Sequence, residues 1–198
     1  VSAGGGLFLA LGGSETTHLF SLVARRGAAP SSSPTIDVEP LLDFDHEAHQ
    51  GGVALSESGS TVAIAGDHTV TLLDTSTGAM MRQEHRDRRL RCVALSPDAE
   101  MLLVGGFDQL VQMYPVNGGT DFLQYTGAMS RRDNHAAAVA ISECHSLLVV
   151  AGGKTGDRVG YAAVYDARSH QRLCTLDREA EVRCVRFSPD GRWLALAG

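Results

Sequence analysis

The chain has 198 residues, 43% of them hydrophobic, and a formal net charge of −6. That composition supports an apolar core and excludes a disordered chain. The acidic balance speaks against a nucleic-acid surface, and no apolar run approaches the roughly 18 residues of a membrane helix.

In chain order, Leu7-Phe8-Leu9-Ala10-Leu11-Gly12 reads as a strand, and the Pro/Ser-rich stretch from Arg25 to Pro34 as an exposed loop. A phrase then begins to recur. Val53-Ala54-Leu55-Ser56 leads to Gly66, Val93-Ala94-Leu95-Ser96 to Gly106, Val139-Ala140-Ile141-Ser142 to Gly152, and Val185-Arg186-Phe187-Ser188 to Gly198. The step from Val to Gly is 13 residues in every copy. Each copy opens with a short apolar strand. Turn formers follow: Glu57-Ser58-Gly59, Pro97-Asp98, Glu143-Cys144-His145 and Pro189-Asp190-Gly191. The second strand is apolar on both faces, as in Val62-Ala63-Ile64-Ala65 and Leu147-Leu148-Val149-Val150, which predicts burial between layers. Third strands are predicted at Thr69–Asp74, Leu110–Tyr114 and Tyr161–Asp166. More polar fourth strands are predicted at Ala79–Gln83, Phe122–Tyr125 and Gln171–Leu176.

Four strands per unit, wetter toward the last, describe a radial sheet. Units of 40, 46 and 46 residues from Gly to Gly have the length of a propeller blade, and the first interval, from Gly12, is longer at 54. The expectation is an all-β propeller of four-stranded antiparallel blades filling 1–198 as one domain. The blades are approximately 1–45 (partial), 46–85, 86–130, 131–178 and 179–198 (partial), an incomplete ring cut within a blade at both ends.

These residues resemble the WD40-repeat family over essentially the whole chain. Val185-Arg186-Phe187-Ser188-Pro189-Asp190-Gly191 matches the family's V-x-F-S-P-D-G. Leu73-Asp74, Tyr114-Pro115 and Tyr165-Asp166 stand where the family has Trp-Asp, Thr77-Gly78 stands at its Thr-Gly turn, and His46 at its His. The later units carry Arg86, Arg132 and Arg178 at the His position, so the family's His–Ser/Thr–Asp–Trp network is not expected here. Packing of Leu73, Tyr114 and Tyr165 is expected to take over its role. The resemblance implies a non-catalytic scaffold for protein partners, part of a larger propeller. The alternative it leaves open is a propeller-fold enzyme, hydrolase- or lactonase-like, with its site on the axis or outside this segment.

The motifs add little chemistry. Gly152-Gly153-Lys154-Thr155-Gly156 lacks the earlier Gly and the following helix of a phosphate loop, and reads as an enlarged surface loop. Eight histidines show no ligand spacing; His46 is expected to be structural and the others solvated. No acidic or amide residue is read as repeating toward the axis, and no cofactor or metal is expected. Cys92, Cys144, Cys174 and Cys184 form no CxxC and read as reduced buried thiols of an intracellular, rather cytoplasmic than nuclear, protein. Arg86, Arg88, Arg89, Arg131, Arg132 and Arg178 fall in loops leading into blades. With Lys154 and Arg158 they form the predicted partner-binding face, suited to an acidic or phosphorylated segment. No nucleic acid is expected as a partner, and no membrane segment is expected in this chain.

Overall fold

The computed structural model describes residues 7–12, 16–25, 35–45, 51–107, 111–118, 123–125, 135–142, 146–153 and 159–198. Among them every regular element is a strand. The first sheet orders β1 (Leu7–Gly12), β2 (Thr16–Arg25) and β3 (Thr35–Asp45). The second holds β4 (Gly52–Leu55), β5 (Thr61–Ala65), β6 (Thr69–Asp74) and β7 (Met80–His85). The third holds β8 (Leu90–Leu95), β9 (Met101–Gly106), β10 (Val111–Pro115) and β11 (Leu123–Tyr125). The fourth holds β12 (His135–Ile141), β13 (Leu147–Gly153), β14 (Gly160–Asp166) and β15 (Arg172–Arg178), and the fifth β16 (Cys184–Phe187) and β17 (Leu194–Ala197). All pairings are antiparallel between chain neighbours. This is the all-β propeller of four-stranded blades expected from the repeats. The long first interval is only partly a loop. β2 and β3 run to 10 and 11 residues, where β6 and β7 have 6, so the strands absorb part of the excess.

The middle strands show how a sheet is buried on both sides. Side chains alternate across a strand, and here the alternation sorts them between two different cores. Val62 and Ile64 of β5 join Leu73, with Phe44 of the first sheet packed against them. Ala63 and Ala65 face the other way and join Leu102, Val104 and Tyr114 of the third sheet. One step on, Leu103 of β9 meets Leu148, Val150 and Tyr165 of the fourth sheet. Val149 and Ala151 of β13 then meet Val185 of the fifth.

Leu73, Tyr114 and Tyr165, at the Trp-Asp positions, are all buried, and each lies in the seam between its own sheet and the one before. Arg86 stands at a family His position. It donates from Nη1 to Gln112 Oε1 and stacks 5.3 Å over the Tyr114 ring. Arg82, one strand turn away, covers the same ring at 5.2 Å and donates to the Pro115 carbonyl at 2.7 Å. Two guanidiniums clamping the next sheet's tyrosine thus stand where the family places a histidine network.

The recurring serine has a local task. Its Oγ accepts the backbone N–H of the residue that opens the second strand: Thr61 on Ser56 (3.1 Å), Met101 on Ser96 (2.8 Å), Leu147 on Ser142 (3.0 Å) and Trp193 on Ser188 (2.9 Å). This ties the first hairpin of each sheet and fixes its register.

Candidate partner-binding face

Two sets of loops meet on one face. The segment after β7 returns against the turn after β5: Arg86 N–H donates to the His68 carbonyl (2.6 Å) and Leu90 N–H to that of Asp67 (2.8 Å). Phe107 N–H donates to the Arg89 carbonyl at 2.9 Å, and Val182 N–H to that of Gly152 at 3.2 Å.

The Gly that closes each second strand has a steric cause on this face. A Cβ built on Gly106 would lie 2.2 Å from the Arg89 carbonyl oxygen, one on Gly152 2.0 Å from that of His135, and one on Gly198 1.9 Å from that of Glu181. Arg89, His135 and Glu181 all stand four residues before the repeated Val. The equal spacing therefore records a close backbone approach, and it also places a titratable side chain at one height in successive sheets. His49 holds the same position in the second unit and lies outside the described residues.

Two of these side chains, His135 and Glu181, engage each other, while Arg89 turns to Asp67. Glu181 and His135 are 6% and 4% exposed at their side chains, and His135 Nε2 donates to Glu181 Oε1 at 2.5 Å. Arg91, one residue into β8, donates to the same oxygen at 3.0 Å, and its Nη1 lies against His135 Nε2. Arg183 donates to Glu181 Oε2 at 3.1 Å. The Phe107 ring packs on His135 at 4.9 Å, with Arg91 above it at 5.4 Å. Phe107 is nonetheless 45% exposed. Burial pushes the His135 imidazole below its ordinary value of 6.5. The bond to Glu181 opposes that shift and the Arg91 charge adds to it. Burial alone would raise the Glu181 carboxyl. The hydrogen bonds from His135 and Arg183 and the Arg91 charge outweigh it, and hold the group below its ordinary 4.5.

Several sequence expectations change here. His135 is buried and bonded, not solvated. The position four before the repeated Val carries Arg89, His135 and Glu181, three different residue types. Of the residues expected on the basic face, Arg89 pairs with Asp67 at 2.6 Å, and Arg86 lies 3.6 Å from Glu84 as well as on Gln112. Arg88 and Arg178 are exposed, while Arg131, Arg132, Lys154 and Arg158 lie outside the described residues. Cys92 is buried under the fourth sheet, with Sγ 3.5 Å from the Ala136 carbonyl. Its counterpart Cys184 is exposed, with no further sheet over the fifth among the described residues; Cys174, on an outermost strand, is exposed too. Cys144 is outside the described residues. Among the described residues no group of three or more His, Cys, Asp or Glu is placed to hold a metal ion, and no helix is long and apolar enough to cross a membrane.

Comparison with known proteins adds a family-model match at two places and a fold. A family model described as "WD domain, G-beta repeat" matches residues 79–114 and 170–198. The chain is similar in structure to one from a solved structure described as "Crystal Structure of Mitotic Checkpoint Complex", with a TM-score of 0.69 and 18% identity. The match covers 96% of this chain and 55% of that one, so this chain spans about half the other's length. At this identity the likeness shows the fold alone. With 1149 matching chains among solved structures, so widespread a shape does not select a partner.

Proposed function

Because the chain carries WD40 repeats folded as propeller blades, we propose that it is a non-catalytic, intracellular protein-interaction scaffold that takes its partner on the loop face. The observation that carries this reading is Phe107, an aromatic ring 45% exposed on the loop face and packed against His135 and Arg91. Aromatic and arginine side chains dominate interface energetics, and a ring held by its neighbours loses little freedom on binding. Arg88 and Arg183, both exposed in segments that lead into sheets, carry positive charge suited to an acidic segment.

The test is a photo-crosslinking residue placed at Arg88 in the full-length protein in cells, with a control at Arg192 in the turn on the opposite face. Protein adducts are expected from position 88. Phe107→Ala should reduce them at least about tenfold, as loss of a hot spot does. Adducts from 192 alone, or equal recovery with and without the Phe107 ring, would refute the assignment of this face.

A further inference from the structure

The polar cluster at the hub joins sheets that are not neighbours. Arg91 begins in the third sheet, His135 in the fourth, and Glu181 and Arg183 in the segment leading into the fifth. Among the described residues that segment is also held by apolar burial and by backbone contacts. Val182 is buried in the seam, its N–H donates to the Gly152 carbonyl at 3.2 Å, and Arg183 N–H donates to the Ala197 carbonyl at 2.8 Å. It lies flat on glycine: a Cβ on Gly160 would sit 1.8 Å from the Ala180 carbonyl oxygen.

We propose that Glu181, His135 and Arg91 form a proton-sensitive latch, which holds segment 179–183 on the loop face and releases it when the His135 imidazole takes up a proton.

The groups facing His135 among the described residues come from every element packed on it. Glu181 and Arg183 belong to the segment itself, Arg91 comes from β8 and Phe107 from the turn after β9. Tyr161 of β14 donates its hydroxyl to the His135 carbonyl at 3.3 Å. With the imidazole neutral, one carboxylate meets two guanidiniums. A proton on His135 adds positive charge beside Arg91, on a side chain that is itself almost fully buried. Nε2 already donates to Glu181, which also receives Arg91 and Arg183, so the added proton goes to Nδ1 and gains no new bond to that carboxylate. The closed state therefore resists the proton, while an opened, hydrated imidazole accepts it near the ordinary 6.5. The folded value is the depressed one, so the latch is at full strength above pH 6.5 and weakens as pH falls below it. This inference stands apart from the scaffold reading, since it concerns the free chain.

Amide exchange at Val182 and Arg183, corrected for the intrinsic rate, measures the opening. Between pH 7.5 and 5.5 the opening constant should rise by up to about tenfold, the limit for one proton bound only in the open state. In His135→Gln it should not change with pH. An equal rise in both proteins, or no rise in the wild type, overturns the latch. Should the variant not fold, the carbon-bound ring protons of His135 in the wild type decide by NMR: a midpoint below 6.5 supports the latch, and one at or above 6.5 refutes it. Failure here leaves the crosslinking test of the loop face untouched.

Discussion

Ala99 sits in the tight turn of the third sheet at φ 58°, where its counterparts in the second and fifth sheets are Gly59 (φ 72°) and Gly191 (φ 66°). A Cβ in this left-handed region is strained by about 1–2 kcal/mol, and glycine is not. The larger entropy of glycine in the unfolded chain takes back part of the gain. Ala99→Gly should therefore stabilise the protein by roughly 0.5–1 kcal/mol, seen as a higher urea midpoint at unchanged slope. The substitution removes no hydrogen bond: the Ala99 N–H to Ser96 carbonyl bond of 2.9 Å is a backbone bond that Gly59 and Gly191 make equally. At this scale the sequence is legible where a repeat compares like with like. Pro97-Asp98-Ala99 beside Pro189-Asp190-Gly191 shows which residue departs. Burial of a single thiol is not legible in the same way: Cys92 and Cys184 share a position and differ only in what lies over them.

At the scale of the element, the closing glycines decide how near two strands may come. Gly106 pairs with Leu90 at the end of the β8–β9 hairpin. Its missing Cβ leaves room for the Arg89 carbonyl, which belongs to backbone and cannot swing aside. Gly106→Ala should cost about 1–3 kcal/mol, as overpacking against fixed neighbours does. The same change at Gly118, which has open space around its Cβ position but φ +89°, is strained by its backbone alone. Comparing the thermal midpoints of the two variants separates steric from conformational cost. The Val-to-Gly spacing made the hairpins, and so the sheets, readable without coordinates. The buried His135–Glu181 pair was hidden because the position repeats in geometry and not in chemistry: Arg89, His135 and Glu181 share no residue type. Their common offset of four from the repeated Val was the available signal, and it acquires meaning only once the carbonyls above the glycines are seen.

For the molecule as a whole, acid should act through many small sites with one sign. The Asp74 carboxylate is bound by the hydroxyl of Ser76 and by the backbone and hydroxyl of Thr77. That of Asp166 is bound by the backbone and hydroxyl of Ser169, and that of Asp190 by the Ser188 hydroxyl and the Arg192 amide. Each is thereby held below its ordinary 3.8. A carboxylate whose folded value is depressed lends stability above its unfolded value and loses it as pH falls through the folded one. Urea midpoints should accordingly decline from pH 5 toward pH 3, and the decline should be shallower in the Asp74→Asn, Asp166→Asn double variant. A steeper decline in that variant would show that these turns are not its source.

Seams that each join only adjacent sheets would make the energy of this chain a sum over nearest neighbours. The Arg91–Glu181 pair breaks that rule, because it reaches from the third sheet across the fourth to the fifth. Loosening of the third sheet is thereby felt two sheets away, without the intervening seam having to yield first. The hub thus gives an otherwise local architecture a long-range term in its cooperativity.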